Sequence, residues 1–373
     1  MNKTLKYRLR PSKHQATLLQ EQLNECRWLY NKLLEERRNS WEQRQEGLSY
    51  FKQCKRITEL KSEHPTLKNV YSQVLQNVAD RLDKGFQGFF RRVKAGENKP
   101  GYPRFKGYDR YDSFTYTQFG FAIKGSCLDL TRIGDIKIIL HRPLLGKIKT
   151  CSIIKSAGKW YVCFAVESTS EPLPESDMAA GIEVGLTTFA TLSTGKKISN
   201  PRFFKTDEKA LAKAQRKMSK LDKGTPERRK VKKVVSRIHE RIASRRHDFA
   251  HQEARKLVNE FGIIAVEKLQ IKEMIDGNWR SINRNIGDAT WSQFRQCIKY
   301  KAEDAGRMYV EVNPRGTTQR CSRCQSTVPK DLSVRIHSCP VCGLVLDRDL
   351  NSSFNILALG LQSLGKTPRS PAF

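Results

Sequence analysis

Acidic side chains are scarce in this sequence. Asp and Glu total 38 against 69 Lys and Arg in 373 residues, a formal charge of +31. So large an excess does not arise for solubility alone, and it predicts a polyanionic partner, with nucleic acid the default. Long apolar runs are missing too. None approaches the roughly twenty residues a bilayer-spanning helix requires, and neither end carries a lipidation signature, so no membrane partner is expected. No signal-peptide pattern opens the chain, which predicts a cytoplasmic, reducing setting for its ten cysteines.

Six of those cysteines (Cys26, Cys54, Cys127, Cys151, Cys163, Cys297) are scattered without pattern. The other four stand as Cys321-Ser-Arg-Cys324 and Cys339-Pro-Val-Cys342. Two such pairs place four thiolates on two tight knuckles, the arrangement that tetrahedral zinc requires. A pair of disulfides is the competing reading, and the compartment argues against it. Zn2+ is expected as a structural ion. Residues 320–346 should depend on it, because few apolar side chains hold them otherwise.

Residues 3–10 alternate, with Leu5, Tyr7 and Leu9 on one side, and predict a strand. Pro11-Ser12 then opens a helix with Ser12 as N-cap and Leu19, Leu23, Cys26 and Leu33 at helical spacing. A second helix is predicted over about 71–93, with Val74, Val78, Leu82, Phe86, Phe89, Phe90 and Val93 along one face. From 104 to about 167 short β runs take over, at 113–119, 136–140 and 160–166. A strand, a helical block and further strands predict a β-barrel into which a helical module is inserted.

Residues 171–177 form a linker by composition. Beyond it, 179–193 predict a buried strand, a turn at Gly185 and a second strand. Two long basic helices follow, about 207–221 and 226–258, with Leu211, Met218 and Leu221 facing Val234, Val235, Ile238 and Ile242 in an antiparallel pair. Their other faces carry Lys213, Arg216, Lys217, Lys220, Arg228, Arg229, Lys232, Lys233, Arg237, Arg241 and Arg245. Acidic partners are few, so these charges predict a phosphate-tracking surface rather than a merely solvated one. A strand at 263–266, a helix near 290–304, a strand at 308–312, the cysteine segment and a helix from about Asn351 complete the chain.

Three acidic residues stand where their neighbours argue against random surface placement. Glu183 interrupts the apolar run Ala179-Ala-Gly-Ile-Glu-Val-Gly-Leu186, Glu267 closes the strand at 263–266, and Asp349 begins the last helix. Singly, each has a plain explanation: an edge strand, a strand end, an N-cap. Together they fit one chemistry. Two strand-borne carboxylates and one from a C-terminal helix can hold two divalent cations about 3.5–4 Å apart, one activating water and one stabilising the leaving oxygen of a phosphodiester. Hard oxygen ligands suit Mg2+ or Mn2+. This is the carboxylate logic of an RNase H-like nuclease.

Several stretches add up to a family pattern that none carries alone: Tyr7-Arg-Leu-Arg-Pro11, Cys26-Arg-Trp-Leu-Tyr-Asn31, Gly101-Tyr-Pro-Arg-Phe-Lys106, Gly181-Ile-Glu-Val-Gly185, Asn200-Pro-Arg-Phe-Phe204, Val266-Glu-Lys-Leu269, the two CxxC pairs and Asp347-Arg-Asp-Leu-Asn351. Over nearly its whole length the chain resembles the TnpB family of transposon-encoded RNA-guided DNA endonucleases, relatives of the miniature type V CRISPR effectors. The resemblance implies a multidomain α+β fold. A β-barrel wedge domain (1–10 and 104–170) would hold an inserted helical recognition module (11–103). An RNase H-like (RuvC-type) α/β nuclease domain (178–313 and 347–373) would carry a zinc-ribbon insertion (314–346) that binds target nucleic acid.

By matching position the catalytic, magnesium-binding residues would be Glu183, Glu267 and Asp349. Asp349 is preferred to Asp347 because the family motif sets its aspartate two residues before an asparagine, here Asn351. The implied partners are a guide RNA from the element end and target double-stranded DNA with a short flanking motif, read near Tyr50 and the helix start that includes Gln76. The implied setting is the prokaryotic cytoplasm, at the nucleoid, as a monomer or a dimer.

One departure stands out. Where the family has an aspartate, this chain has Glu183, whose extra methylene moves the oxygens by more than about 1 Å unless the backbone retreats. Charge is kept, so a nuclease remains the favoured reading. The alternative is a nuclease-impaired RNA-guided DNA-binding protein acting as a transcriptional repressor. A recombinase that joins DNA strands directly is a third class. A plain zinc-ribbon RNA binder would leave the three carboxylates unexplained.

Overall fold

The computed structural model describes residues 2–108, 110–170, 172–276, 280–331 and 333–367, and the chain divides into two compact units, Met1–Thr169 and Ser170–Phe373. Glu171 of the expected linker and the end of the expected nuclease domain, 368–373, lie outside the described residues.

In the first unit, β1 (Asn2–Arg10) buries Tyr7 and Leu9. Helix α1 (Lys13–Arg44) starts on Ser12, whose hydroxyl accepts from the Gln15 amide at 3.2 Å while its own amide donates to the Gln15 side chain at 3.0 Å. This reciprocal box satisfies two donors that a helix start otherwise leaves open. The stripe Leu19, Leu23, Cys26 and Leu33 is buried as its spacing predicts. Helix α2 (Tyr50–Glu63) was not expected; it buries Gln53, Ile57 and Leu60 at helical spacing, with Tyr50 and Cys54 packed beside them, a short stripe that includes a polar residue. Helix α3 (Ser72–Lys94) buries Val74, Val78, Leu82 and Phe86, but Phe90 and Val93 are exposed, because its last turns run past the core.

Six strands follow: β2 (Ser113–Tyr116), β3 (Phe121–Lys124), β4 (Cys127–Leu130), β5 (Gly134–Ile139), β6 (Lys147–Ser156) and β7 (Lys159–Glu167). With β1 they make a seven-stranded antiparallel sheet in the order β2-β6-β7-β1-β5-β4-β3. β1 lies between β7 and β5, so the chain leaves this sheet for α1–α3 and then returns to it. The sheet is a half-barrel, in keeping with the β-barrel expected here in its strands though not in full closure: among the described residues no ladder joins β3 to β2. The run expected at 113–119 also ends early, at Tyr116, and Phe119 is exposed. The bend between β2 and β3 requires Gly120 at φ +86°, since an added side-chain carbon there would stand 2.6 Å from the Tyr71 ring. That ring stacks on Tyr116 at 5.8 Å between centroids.

The second unit opens with β8 (Ala179–Val184), β9 (Thr188–Leu192) and β10 (Lys197–Ser199), then α4 (Phe203–Ser219) and α5 (Pro226–Glu260). After them come β11 (Ile263–Glu267), α6 (Ile271–Asp276), α7 (Arg280–Ala289), α8 (Trp291–Asp304), β12 (Met308–Val312), β13 (Ile336–Ser338), β14 (Val345–Asp347) and α9 (Arg348–Ser363). Five strands form a mixed sheet in the order β10-β9-β8-β11-β12, antiparallel from β10 to β8 and parallel from β8 to β12. Alternation sorts its faces. Ala180, Ile182, Ile264 and Val266 pack with Leu257 of α5 and with Phe294 and Ile298 of α8. Ala265 and Val312 turn the other way, toward Ile356 of α9. The α4–α5 pair encloses a small core of Leu211, Val235, Ile238 and Ile242 with Met218 beside it. Val234, expected inside, is exposed, and Leu221 lies beyond the end of α4.

Candidate active site and metal centre

Two of the three carboxylates are brought together by strand register. Ile182 of β8 is the partner of Val266 of β11, so the next residues along these parallel strands, Glu183 and Glu267, share one face at their C-terminal ends. That is where open parallel sheets collect their chemistry. It is also the face covered by α9, which approaches closely enough that a side-chain carbon on Gly360 would stand 2.5 Å from Ala265 Cβ. Asp349, in the first turn of α9, comes in over the β8–β9 turn; its Oδ2 lies 3.9 Å from where a Cβ on Gly185 would stand.

The electrostatics follow from this placement. Glu183 Oε2 is sealed from solvent and has no hydrogen-bond partner among the described residues. Burial raises the Glu183 pKa well above the usual carboxylate value, the negative charges of Glu267 and Asp349 raise it further, and Ser352 opposes them. Glu267, 6% exposed, is also raised by burial, against a Thr317 hydroxyl that donates to its Oε1 at 2.6 Å. Buried carboxyls close to one another, one with an unpartnered oxygen, mark a candidate functional site rather than a solvated edge.

Asp347 and Asp349 take different roles. Asp347 is the N-cap of α9: its Oδ1 accepts from the amides of Asp349 and Leu350 at 2.9 and 3.1 Å, while its Oδ2 pairs with Lys197 at 2.8 Å. The N-cap role considered for Asp349 therefore belongs to Asp347. Asp349 Oδ1 instead accepts from Arg348 Nε and Nη2 at 3.1 and 2.9 Å, and Oδ2 faces the Gly185 turn. Arg348 also donates from Nη1 to the Val334 carbonyl at 3.1 Å, tying α9 to the cysteine segment.

The four expected thiols do converge. Cys321, Cys324, Cys339 and Cys342 place their Sγ atoms within 4.8 Å of one another; Cys321 lies 3.6 Å from Cys342 and Cys324 lies 3.5 Å from Cys339. None is in a disulfide. Tetrahedral zinc with bonds of about 2.3 Å holds its sulfurs roughly 3.8 Å apart, so the set fits that ion. Both knuckles are built alike. The Gln325 amide bonds the Cys321 carbonyl at 2.9 Å and the Gly343 amide bonds the Cys339 carbonyl at 3.0 Å, with Gln325 and Gly343 at φ +62° and +71°. Ser326, 3.2 Å from Cys324 Sγ, draws that thiol down to about 6, toward the thiolate a metal binds. Among the described residues these thiols are the group of three or more drawn tightly enough for a single ion.

The nucleic-acid candidates divide. Arg216, Lys217, Lys220, Arg229, Lys232, Lys233 and Arg237 are exposed on α4, α5 and the turn between them. Arg228 is committed elsewhere: Nη1 donates to the Met218 carbonyl at 2.6 Å and to that of Leu221, closing the end of α4. Arg241 and Arg245 converge on the buried Asp207, Arg245 at 3.4 Å. In the first unit Gln76 is exposed on α3, while Tyr50 is half-buried at the start of α2, edge-on to the exposed Phe51. Sequence reasoning missed Thr317 and Asn355, since a Thr in a turn and an Asn in a helix carry no signal until packing gives them partners.

Three family models match the sequence: a "Probable transposase" over residues 161–277, a "Helix-turn-helix domain" over 1–46 and a "Cas12f1-like, TNB domain" over 291–356. A Streptomyces pristinaespiralis protein named "Putative RNA-guided DNA endonuclease" is 34% identical over 370 residues, which span 97% of this chain and 90% of that protein. The chain belongs to the TnpB family. A second relative of the same designation, InsQ of Escherichia coli (strain K12), is 29% identical over 374 residues, spanning 95% of this chain and 91% of that protein. The fold is similar to that of a Cas12f1 protein solved with sgRNA and target DNA, with a TM-score of 0.61 at 13% identity over 92% of this chain and 83% of that one. The transposase match holds Glu183 and Glu267; the TNB match holds the four cysteines and Asp349. The helix-turn-helix match folds in this TnpB-family chain as β1 and the single long helix α1.

Proposed function

We propose that this chain is an RNA-guided DNA endonuclease in which Glu183, Glu267 and Asp349 hold the catalytic metals. The observation that carries the reading is the meeting of the three carboxylates, two at the ends of adjacent parallel strands and one from α9. The strand order of the second unit supports an RNase H-like (RuvC-type) assignment, with three antiparallel strands joined to a parallel pair. Bound Mg2+ or Mn2+ would activate the attacking water and stabilise the leaving oxygen. The protein's own part is positioning. Register sets Glu183 beside Glu267, α9 presents Asp349, and Arg348 holds Asp349 Oδ1 so that Oδ2 faces the Gly185 turn. Two ions about 3.5–4 Å apart need a wider ligand set than the single-ion cage of the thiols.

The cysteine segment then serves as a zinc ribbon folded by its metal, and the exposed cations of α4 and α5 as a backbone-tracking surface for guide RNA or target DNA. In the first unit, the half-barrel and α1–α3 correspond to the wedge and recognition module, with Gln76 and Tyr50 near the reader of a short flanking motif. Base pairing with the guide would supply sequence choice.

The test is cleavage of target plasmid in Mg2+ or Mn2+ by the chain purified with its guide RNA, beside Glu183→Asp and Asp349→Ala. Cutting that disappears in Asp349→Ala is expected. Full binding with no cut by the unaltered chain would replace this reading with the repressor alternative, for which Glu183 in the family's aspartate position is the motive.

A further inference from the structure

The turn after β12 points a buried hydroxyl at one of the three carboxylates, and nothing in the sequence pattern explains why. Thr317 is 2% exposed. Its Oγ1 lies 2.6 Å from Glu267 Oε1 and 2.9 Å from the Pro314 carbonyl oxygen. A hydroxyl has one proton to donate, and an ionised carboxylate is the stronger acceptor of the two. The bond therefore fixes one oxygen of Glu267 and restricts the rotation of its carboxyl group, beside Glu183 on the adjacent strand.

Thr317 is itself held from α9. Asn355 Nδ2 donates to the Thr317 carbonyl and to the Arg320 carbonyl, both at 2.8 Å. Asn351 donates to the same Arg320 carbonyl at 2.8 Å and accepts from the Ser322 amide at 2.9 Å, at the foot of the first cysteine knuckle. Both asparagines are buried, at 4% and 0% exposure for Asn355 and Asn351. The four-cysteine segment, the last helix and Glu267 are thus joined by a continuous set of short bonds.

We propose that Thr317 is a positioning residue for Glu267, and that the backbone leading into the cysteine segment aims this carboxylate for divalent cation through it. The proposal rests on the nuclease reading above. Partners that orient a metal ligand from behind typically change metal affinity or activity by about 10–100-fold when removed.

Serine and valine separate hydroxyl from packing. Thr317→Ser keeps the donor and loses the methyl group; Thr317→Val keeps the shape and loses the donor. Full-length chains would be measured for Mn2+ affinity by electron paramagnetic resonance, for the Mg2+ concentration giving half-maximal plasmid cleavage with guide RNA, and for zinc content and thermal unfolding. Thr317→Val should need about tenfold or more extra Mn2+ and Mg2+ with zinc content unchanged, while Thr317→Ser stays within about threefold of the unaltered chain. If valine does not yield folded protein, Thr317→Ala against Thr317→Ser gives the same contrast at equal loss of the methyl group. Equal metal dependence in the hydroxyl-keeping and hydroxyl-lacking variants, with cleavage intact, overturns the proposal and leaves the nuclease reading standing. An unaltered chain that neither binds Mn2+ nor cuts overturns the nuclease reading, and this proposal with it.

Discussion

Gly181 of β8 lies directly under Ser353 of α9: a side-chain carbon on Gly181 would stand 2.1 Å from the Ser353 carbonyl oxygen and 2.5 Å from the Leu357 amide nitrogen. Both obstacles are helix backbone, so they cannot swing aside. The close approach lets the helix that carries Asp349 lie against the strand that carries Glu183. Gly181→Ala should push α9 outward, lower stability by about 1–3 kcal/mol or more, and reduce cleavage more than tenfold. Thermal unfolding and plasmid cleavage check this. A folded variant that cuts normally would contradict it.

The two aspartates around Arg348 should separate cleanly. Asp349→Asn should lower cleavage by more than about a hundredfold with little change in melting temperature, since it removes a proposed metal ligand. Asp347→Ala removes an N-cap that accepts two amides, at a cost of about 1 kcal/mol, and should leave cleavage within a few-fold. Reversed outcomes would move the catalytic assignment to Asp347.

Stability should run against the usual pH trend near this cluster. The Glu183 and Glu267 pKa values are raised above 4.5 in the folded chain, so between 4.5 and those raised values the fold holds protons that the unfolded chain has released. Their contribution is fully present below 4.5 and is lost as pH rises through the folded values. Without added divalent cation, melting temperature should fall from pH 4.5 toward neutrality more steeply in the unaltered chain than in Glu183→Gln. Added Mg2+ should flatten that difference. A parallel pair of curves would count against a buried, mutually repelling cluster.

Zinc removal should loosen residues 320–346. Among the described residues, the apolar side chains packed with the four cysteines there are Leu344, Val328 and Leu346. Limited proteolysis after chelation should cut within this segment first, and Cys339→Ser should reproduce the pattern. Unchanged cleavage sites would show that Asn351, Asn355 and Arg348 hold it unaided.

The basic helices offer a contrast between binding and folding. Replacing Arg216, Lys217 and Lys220 by alanine should flatten the salt dependence of RNA binding by about 0.7 in log–log slope for each phosphate no longer neutralised. Arg228→Ala should leave that slope alone and lower the melting temperature, because its guanidinium closes the end of α4. A binding defect in Arg228→Ala without destabilisation would reassign it to the interface.

Local patterns read well where one period dominates. The alternation at 160–166 is β7 with Trp160, Val162, Phe164 and Val166 buried, and the Ser12 cap is a full capping box. Helix α2 does carry a short stripe, Gln53, Ile57 and Leu60 at helical spacing with Tyr50 and Cys54 beside them, but it is brief and one of its buried members is polar, so hydrophobicity alone marks it weakly. The buried stripe of α3 is shorter than its spacing predicts, since an apolar side chain is buried only where something lies opposite it, and Phe90 and Val93 stay exposed. Closure of the first sheet is not legible for a related reason: alternation marks strands, not their partners.

By itself the sequence determined the basic charge, the two cysteine knuckles, the main helices and strands, and which three carboxylates to suspect. These are properties of composition and of spacing along the chain. Tertiary structure decided which aspartate faces Glu183 and which caps the helix, which arginines close α4 or bind Asp207, and that Thr317 reaches Glu267. Those outcomes depend on strand register and on how closely α9 approaches the sheet, which are long-range relationships that no local period encodes.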